Sequence, residues 1–174
     1  MTRYLKQELI ILNRRDIVKV AIVMGSISDK EIGDRVVDIL EKFQVEIESR
    51  VISAHRTPYK AIEFAEKAEE NGIEVIIALA GKAAHLAGVL AGVTTLPVIG
   101  VPIKSSTMDG MDSLLSTVQM PKGVPVATVA INGGENAGLL AVQILSLKYP
   151  ELKEKLKDYK KEMALNVDKM DEEV

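Results

Sequence analysis

The stretch Ser53-Ala54-His55-Arg56-Thr57-Pro58 brings a hydroxyl, an imidazole and a guanidinium within a few residues of one another. An imidazole exchanges protons near neutral pH and suits general acid–base work. A guanidinium offers a planar fork of donors that fits a phosphate or a carboxylate. The chain has only two histidines, so placing one in a turn between Ser53 and Arg56 asks for a reason. Two readings compete. His55 is a proton-transfer group at a ligand site, or it hydrogen-bonds its own turn. Its position in the fold has to decide.

Two further stretches carry polar chemistry. In Gly25-Ser26-Ile27-Ser28-Asp29 a strand ends and a helix starts, and free N–H groups with the helix dipole favour an anion there. Ser26 and Ser28 add hydroxyl donors. The same residues read as a capping box, Ser28 with Glu31, and the two uses are compatible. Neither G-x-x-x-x-G-K-[ST] nor G-x-G-x-x-G is present. The second stretch is Gly81-Lys82-Ala83-Ala84-His85-Leu86. Small residues there let a planar ligand approach the backbone, and they equally suit tight helix packing. Lys82 reads as an anion contact or as a side chain extended into water. His85 reads as a substrate contact, a partner behind the substrate contacts, or a satisfied interior histidine.

These residues need elements to hold them. Val18 to Met24 is a short apolar run rich in β-branched residues and reads as a buried strand. From Asp29 onwards, Ile32, Val36, Val37, Leu40 and Phe43 share one helical face. Val45 to Ile52 returns to strand, with Val45, Ile47 and Val51 on one side. Thr57-Pro58 is a cap followed by proline at the first helical position, and Gly72 closes that helix. Glu74–Ala80 is a third strand, Ala83–Ala91 a helix, Leu96–Val101 a fourth strand and Asp112–Met120 a helix. Val124–Ile131 is a fifth strand and Glu135–Lys148 an amphipathic helix broken by Pro150. A charged helix from Glu151 to about Met163 follows, with a frayed acidic end. Residues 1–17 form an N-terminal extension, 18–149 the α/β domain, and 150–174 the C-terminal helix and tail.

Repeated strand–helix units predict a parallel five-stranded sheet with helices on both faces. Ligands bind at the carboxyl ends of such strands. The polar loops after all five strands fall on that edge: Gly25–Asp29, Ser53–Arg56, Gly81-Lys82, Pro102–Ser106 and Asn132–Asn136. That convergence favours the chemical reading of His55. The segment Ser105–Gly110 reads as a polar loop or flap.

Composition narrows the class. The chain has 174 residues, 47% hydrophobic and 27% charged, with a net charge of −3. That is one domain of ordinary size, without the positive charge that holds nucleic acid. With no cysteine, disulfides, thiolate nucleophiles and cysteine metal sites are excluded. No apolar run reaches the roughly 18–20 residues needed to span a membrane, and no signal-peptide core is visible, so a cytoplasmic protein is expected. Two histidines on distant loops make a poor metal site. Aromatics are 3% with no Trp, too few for a flavin clamp. No G-x-S-x-G elbow occurs, and no Asp ends the third strand as a phospho-receiver requires.

Together, "VAIVMGSISD", "SAHRTP", "AAHL", "GVP", "DSLLSTVQMPKGVPVATVAI" and "NAGLLA" resemble the PurE family, the N5-carboxyaminoimidazole ribonucleotide mutases, from about Val20 to Leu147. The resemblance implies a flavodoxin-like three-layer α/β/α sandwich, no cofactor, and a homo-octamer with sites between subunits. It implies moving a carboxylate from the exocyclic N5 to ring carbon C4 of an aminoimidazole ribonucleotide. By the same resemblance Ser26, Asp29 and Arg56 bind phosphate and ribose, Ser53 assists, and His55 is the general acid and base. The family loop Gly-Ala-Gly-Gly-Ala-Ala-His-Leu-Pro-Gly here has Lys82 for a glycine and Ala87 for the proline. Lys82 is similar to the related carboxylases that take carbon dioxide directly, whereas His85 and Gln119-Met120-Pro121 are similar to the mutases. A nucleotide-binding sensor on the same fold is the non-enzymatic alternative.

Overall fold

The computed structural model describes residues 18–174, so the expectations for residues 1–17 lie outside the described residues. The strands are β1 (Lys19–Met24), β2 (Glu46–Val51), β3 (Ile73–Gly81), β4 (Val98–Ile103) and β5 (Ala127–Thr128). The helices are α1 (Lys30–Lys42), α2 (Pro58–Lys67), α3 (Leu86–Ala91), α4 (Met111–Val118), α5 (Gly134–Leu145) and α6 (Pro150–Asp171). The strands pair in parallel in the order β2-β1-β3-β4-β5. This is the flavodoxin-like order, in which the winding reverses between β1 and β3 and opens a crevice above their carboxyl ends.

The alternation of side chains sorts the core into two layers. Val20, Ile22, Ile77, Leu79 and Val101 face α1, α5 and α6. Ala21, Val23, Ile76, Ala78 and Val98 face α2 and α3. Ile22, Ile76, Ile77 and Leu79 are fully buried, and each contributes about 1.5–3 kcal/mol relative to exposure. On α1, Ile32, Val36 and Leu40 turn inward, while Lys30–Asp34 and Glu31–Arg35 pair one turn apart on the outer face. Gly72, at φ +78°, turns the chain from the end of α2 into β3, its N–H donating to the Glu69 carbonyl.

Several elements differ from the sequence expectation. β2 is an edge strand, and Val51 is half exposed instead of sharing the buried side with Val45 and Ile47. β5 keeps only two paired residues, Ala127 and Thr128. Pro125 has no N–H to donate to a ladder, which delays pairing, and Asn132 at φ 58° ends the segment in a turn. α3 starts at Leu86, not Ala83, because Lys82 takes a positive φ of 56°. α6 runs to Asp171, well past Met163, with Lys157–Glu154 and Lys161–Asp158 pairs one turn apart along it. The first capping box is Ser26 with Asp29, not Ser28 with Glu31.

The close approach of α1 and α5 depends on glycine. A β-carbon on Gly134 would lie 2.6 Å from the Ile32 carbonyl oxygen, which is backbone and cannot swing aside. Gly134→Ala is therefore expected to destabilise the fold by about 1–3 kcal/mol, read as a lower urea midpoint. An unchanged midpoint would mean the two helices separate without cost.

Candidate active site

The SAHRT turn is built by its own side chains. Ile52 leaves the sheet with its N–H on the Met24 carbonyl at 2.9 Å. The Thr57 hydroxyl donates to the Ser53 carbonyl at 2.9 Å and accepts from the Ser53 N–H at 3.2 Å. Thr57 thus closes the turn and does not cap α2 with its side chain, contrary to the sequence expectation. Ser53 Oγ accepts from both the backbone N–H and Nε–H of Arg56, each at 3.2 Å. Arg56 Nη2 donates to the Gly25 carbonyl at 3.2 Å, which ties the loop after β2 to the loop after β1. These partners are a hydroxyl and a carbonyl, so the guanidinium keeps its full charge and three of its N–H groups for a ligand.

The GSISD loop is held by a carboxylate. Asp29 is only 5% exposed. Its Oδ2 accepts from Ser26 N–H at 3.1 Å, and its Oδ1 from the Ser28 hydroxyl at 3.2 Å. Ser26 Oγ accepts from Ser28 N–H at 3.3 Å. Capping therefore occupies two of the amide donors that the sequence offered to an anion. The Ser26 hydroxyl hydrogen and the Asp29 lone pairs remain, a set better suited to hydroxyl groups than to a phosphate.

Burial pushes the pKa of Asp29 up, against the opposing pull of the Ser28 and Ser26 hydrogen bonds. The folded protein then holds this proton more tightly than the unfolded chain does. The associated stability is present below the unfolded pKa and is lost as pH rises through the raised folded one. Asp29→Asn removes that dependence while keeping the shape. The variant is expected to gain on the wild type in thermal melts as pH rises from about 4 towards 7. A constant difference in Tm across that range would contradict the raised pKa.

The loop after β3 brings the remaining candidates. Lys82 sits in the left-handed region at φ 56°, a conformation that costs a residue with a β-carbon about 1–2 kcal/mol and suits glycine. His85 occupies the position before α3 and is exposed, so it is not an interior histidine. Its Nδ1 lies 2.9 Å from His55 Nε2, with the rings edge-on and their centroids 4.8 Å apart.

These loops line one cavity of about 770 Å³ above the carboxyl ends of β2, β1, β3 and β4. It brings together Ser26, Ser28, Asp29, Ser53, His55, Arg56, Gly81, Lys82 and His85, the candidate residues from the first three loops. Ala54, Ala80, Ala83, Leu86 and Ile103 supply a small apolar wall. Arg56 and Lys82 line this space with one carboxylate, Asp29, while Lys104, also on its wall, pairs its ammonium with Asp109. The excess of cations favours an anionic ligand.

The fifth loop departs from expectation. Residues Asn132–Asn136 do not line the cavity. Asn132 instead supports the fourth loop, its Oδ1 accepting from Lys104 N–H at 2.8 Å. That fourth loop contributes Lys104, Ser105 and Ser106, which were not singled out as site residues from the sequence. It is pinned by Lys104–Asp109 at 2.9 Å and by the Ser105 hydroxyl donating to Asp112 at 3.0 Å. Buried Ser113 anchors α4 to the end of β4 through the Ile103 carbonyl at 2.8 Å. The available signal was a lysine directly after an apolar strand on the ligand edge.

The fold and cavity define an α/β domain of flavodoxin-like order with a polar cavity at its switch point. Comparison with known proteins narrows this. A family model described as AIR carboxylase matches residues 19–166. The chain is 62% identical to the N5-carboxyaminoimidazole ribonucleotide mutase of Pyrococcus abyssi over 145 residues, 83% of each chain. It is 57% identical to the mutase of the same name from Thermotoga maritima, over 86% of this chain and 87% of that one. The crystal structure of Treponema denticola PurE superposes with a TM-score of 0.82 at 29% identity, covering 90% of this chain and 98% of that one. The chain belongs to the AIR carboxylase family, the PurE family of the sequence resemblance.

Proposed function

We propose that this chain is a purine-biosynthetic mutase that converts N5-carboxyaminoimidazole ribonucleotide into 4-carboxyaminoimidazole ribonucleotide. The observation that carries the reading is His55, an imidazole that lines the cavity together with Arg56, Lys82 and small apolar residues and is paired with His85 at 2.9 Å. The chemistry needs those parts. As the N5–carboxylate bond breaks, carbon dioxide leaves and the nitrogen takes a proton from protonated His55. Ring carbon C4 then attacks the trapped carbon dioxide. Its proton returns to His55, so the protein ends as it began.

Each neighbour has a role in this reading. Arg56 and the Ser53 hydroxyl hold the phosphate, so binding energy far from the reacting carbon fixes the ring, while Ser26 joins Asp29 at the ribose and the Ser28 hydroxyl holds the Asp29 carboxylate in place. Asp29 accepts from ribose hydroxyls. Gly81 lets the ring approach the backbone. Lys82 attracts the migrating carboxylate. Ala80 and Ala83 retain carbon dioxide by excluding water.

Lys82 favours a second reading, direct carboxylation of aminoimidazole ribonucleotide by free carbon dioxide. The two differ in where the carboxyl carbon comes from. Substrate labelled in its N5-carboxylate and turned over in unlabelled bicarbonate is expected to give labelled product. Complete loss of the label to solvent would favour the carboxylase.

The chain works as a homo-octamer in the cytoplasm, on a small phosphorylated metabolite and without nucleic acid. Two exposed apolar stripes support assembly. Met111, Leu115 and Val118 lie along α4, each close to half exposed, and Met163, Val167 and Met170 continue the inward face of α6 beyond its contact with the domain. Surface of this kind marks protein contacts. Light scattering is expected to give the mass of eight chains, and a monomer mass would remove the octamer. Among the described residues no helix is long and apolar enough to cross a membrane.

A further inference from the structure

His55 and His85 arrive from different loops, one after β2 and one before α3, yet their ring nitrogens Nε2 and Nδ1 are 2.9 Å apart. At that distance one hydrogen lies between them, and it belongs to one ring or the other. The proton cycle distinguishes the two cases. When His55 carries its transferable proton, both of its nitrogens bear hydrogen. Its Nε2–H then needs an unprotonated His85 Nδ1 as acceptor. If His85 were the donor, protonating His55 would set two N–H groups face to face. Only the arrangement with His55 donating survives both halves of the cycle.

We propose that His85 is a positioning residue that holds His55 as its Nε2–H tautomer, so that Nδ1 alone gives and takes the proton. The inference rests on the mutase reading of the site. In the first half, His55 Nδ1–H passes to the substrate nitrogen as the bond to the leaving carbon dioxide breaks. The neutral ring keeps hydrogen on Nε2, still bonded to His85. Its bare Nδ1 is then the base that removes the C4 proton once the new carbon–carbon bond has formed. Nothing in the bond to His85 has to rearrange between the steps. Fixing the ring in this way is what a buried carboxylate does for a catalytic histidine in hydrolytic triads. A purely structural duty is not visible: the His85 ring is exposed and makes no capping hydrogen bond to α3.

The test uses the full-length protein with nitrogen-15 labelled histidine. The chain has only two histidines, so each His85 variant leaves the ring of His55 alone in the spectrum. In the wild type His55 is expected as the Nε2–H tautomer. His85→Leu should release a mixture of tautomers and lower kcat by about 10–100-fold, with KM within about 3-fold. His85→Asn, whose amide oxygen can stand where Nδ1 accepts, should keep the tautomer and restore kcat to within about 5-fold of wild type. An Nδ1–H tautomer in the wild type, an unchanged spectrum in His85→Leu, or His85→Asn as slow as His85→Leu would each overturn the proposal. The spectra need no substrate. Failure of the wild type to turn over the ribonucleotide therefore counts against the mutase reading and is separable from a failed tautomer result.

Discussion

The His55→Asn protein is expected to bind the ribonucleotide about as tightly as wild type and to turn it over about 100- to 10,000-fold more slowly. Asparagine keeps the size and a polar tip but cannot exchange a proton near neutral pH. His55 lines the cavity without anchoring it, because the turn around it is closed by Thr57, Ser53 and Arg56. Removing the imidazole should therefore cost kcat and spare both fold and affinity. Calorimetric titration with product, beside steady-state rates, separates the two. Lost binding in a folded variant would make His55 structural, and full activity would put the proton group elsewhere.

Arg56→Ala should strike binding instead. A hydrogen bond to a charged group is worth about 1.5–3 kcal/mol, and a guanidinium offers a phosphate two at once. A fall of about 100- to 1,000-fold in kcat/KM is expected, carried mainly by KM. Part of the loss has a second origin, since Arg56 also bonds Ser53 and the Gly25 carbonyl and so joins two walls of the cavity. Arg56→Lys should recover only part of it, because an ammonium cannot make the planar two-point contact. Steady-state kinetics over a range of substrate concentration reads the result. An unchanged KM would release Arg56 from the phosphate role.

Period and strand count were readable in the sequence because burial enforces them. β1, β3 and β4 are covered on both faces and read as apolar runs, interrupted only near their starts by Lys19 and Glu74. β2 and β5 stand at the sheet edges, where pairing on one side only leaves the pattern weak, and there the expected burial of Val51 and the length of β5 went astray. In the site, residue types, the carboxyl-edge rule and the PurE resemblance together brought out nine positions that do share one cavity. Three kinds of information were hidden. The left-handed turn at Lys82 is a backbone property with no side-chain signature. The use of Asp29 as the cap of its own loop depends on geometry over three residues, and Ser28–Glu31 satisfied the same spacing rule. The meeting of His55 with His85 joins residues thirty positions apart, which only the sheet order brings together.

The most direct test of the central claim is a paired assay of the purified protein without ATP. One arm supplies N5-carboxyaminoimidazole ribonucleotide, the other aminoimidazole ribonucleotide with bicarbonate at physiological concentration. A mutase built around His55 should form 4-carboxyaminoimidazole ribonucleotide rapidly in the first arm and slowly or not at all in the second. Rapid product in the second arm alone would contradict the account and make the chain a carboxylase, with Lys82 the first residue to replace. No product in either arm, from folded protein, would leave a nucleotide-binding sensor in its place.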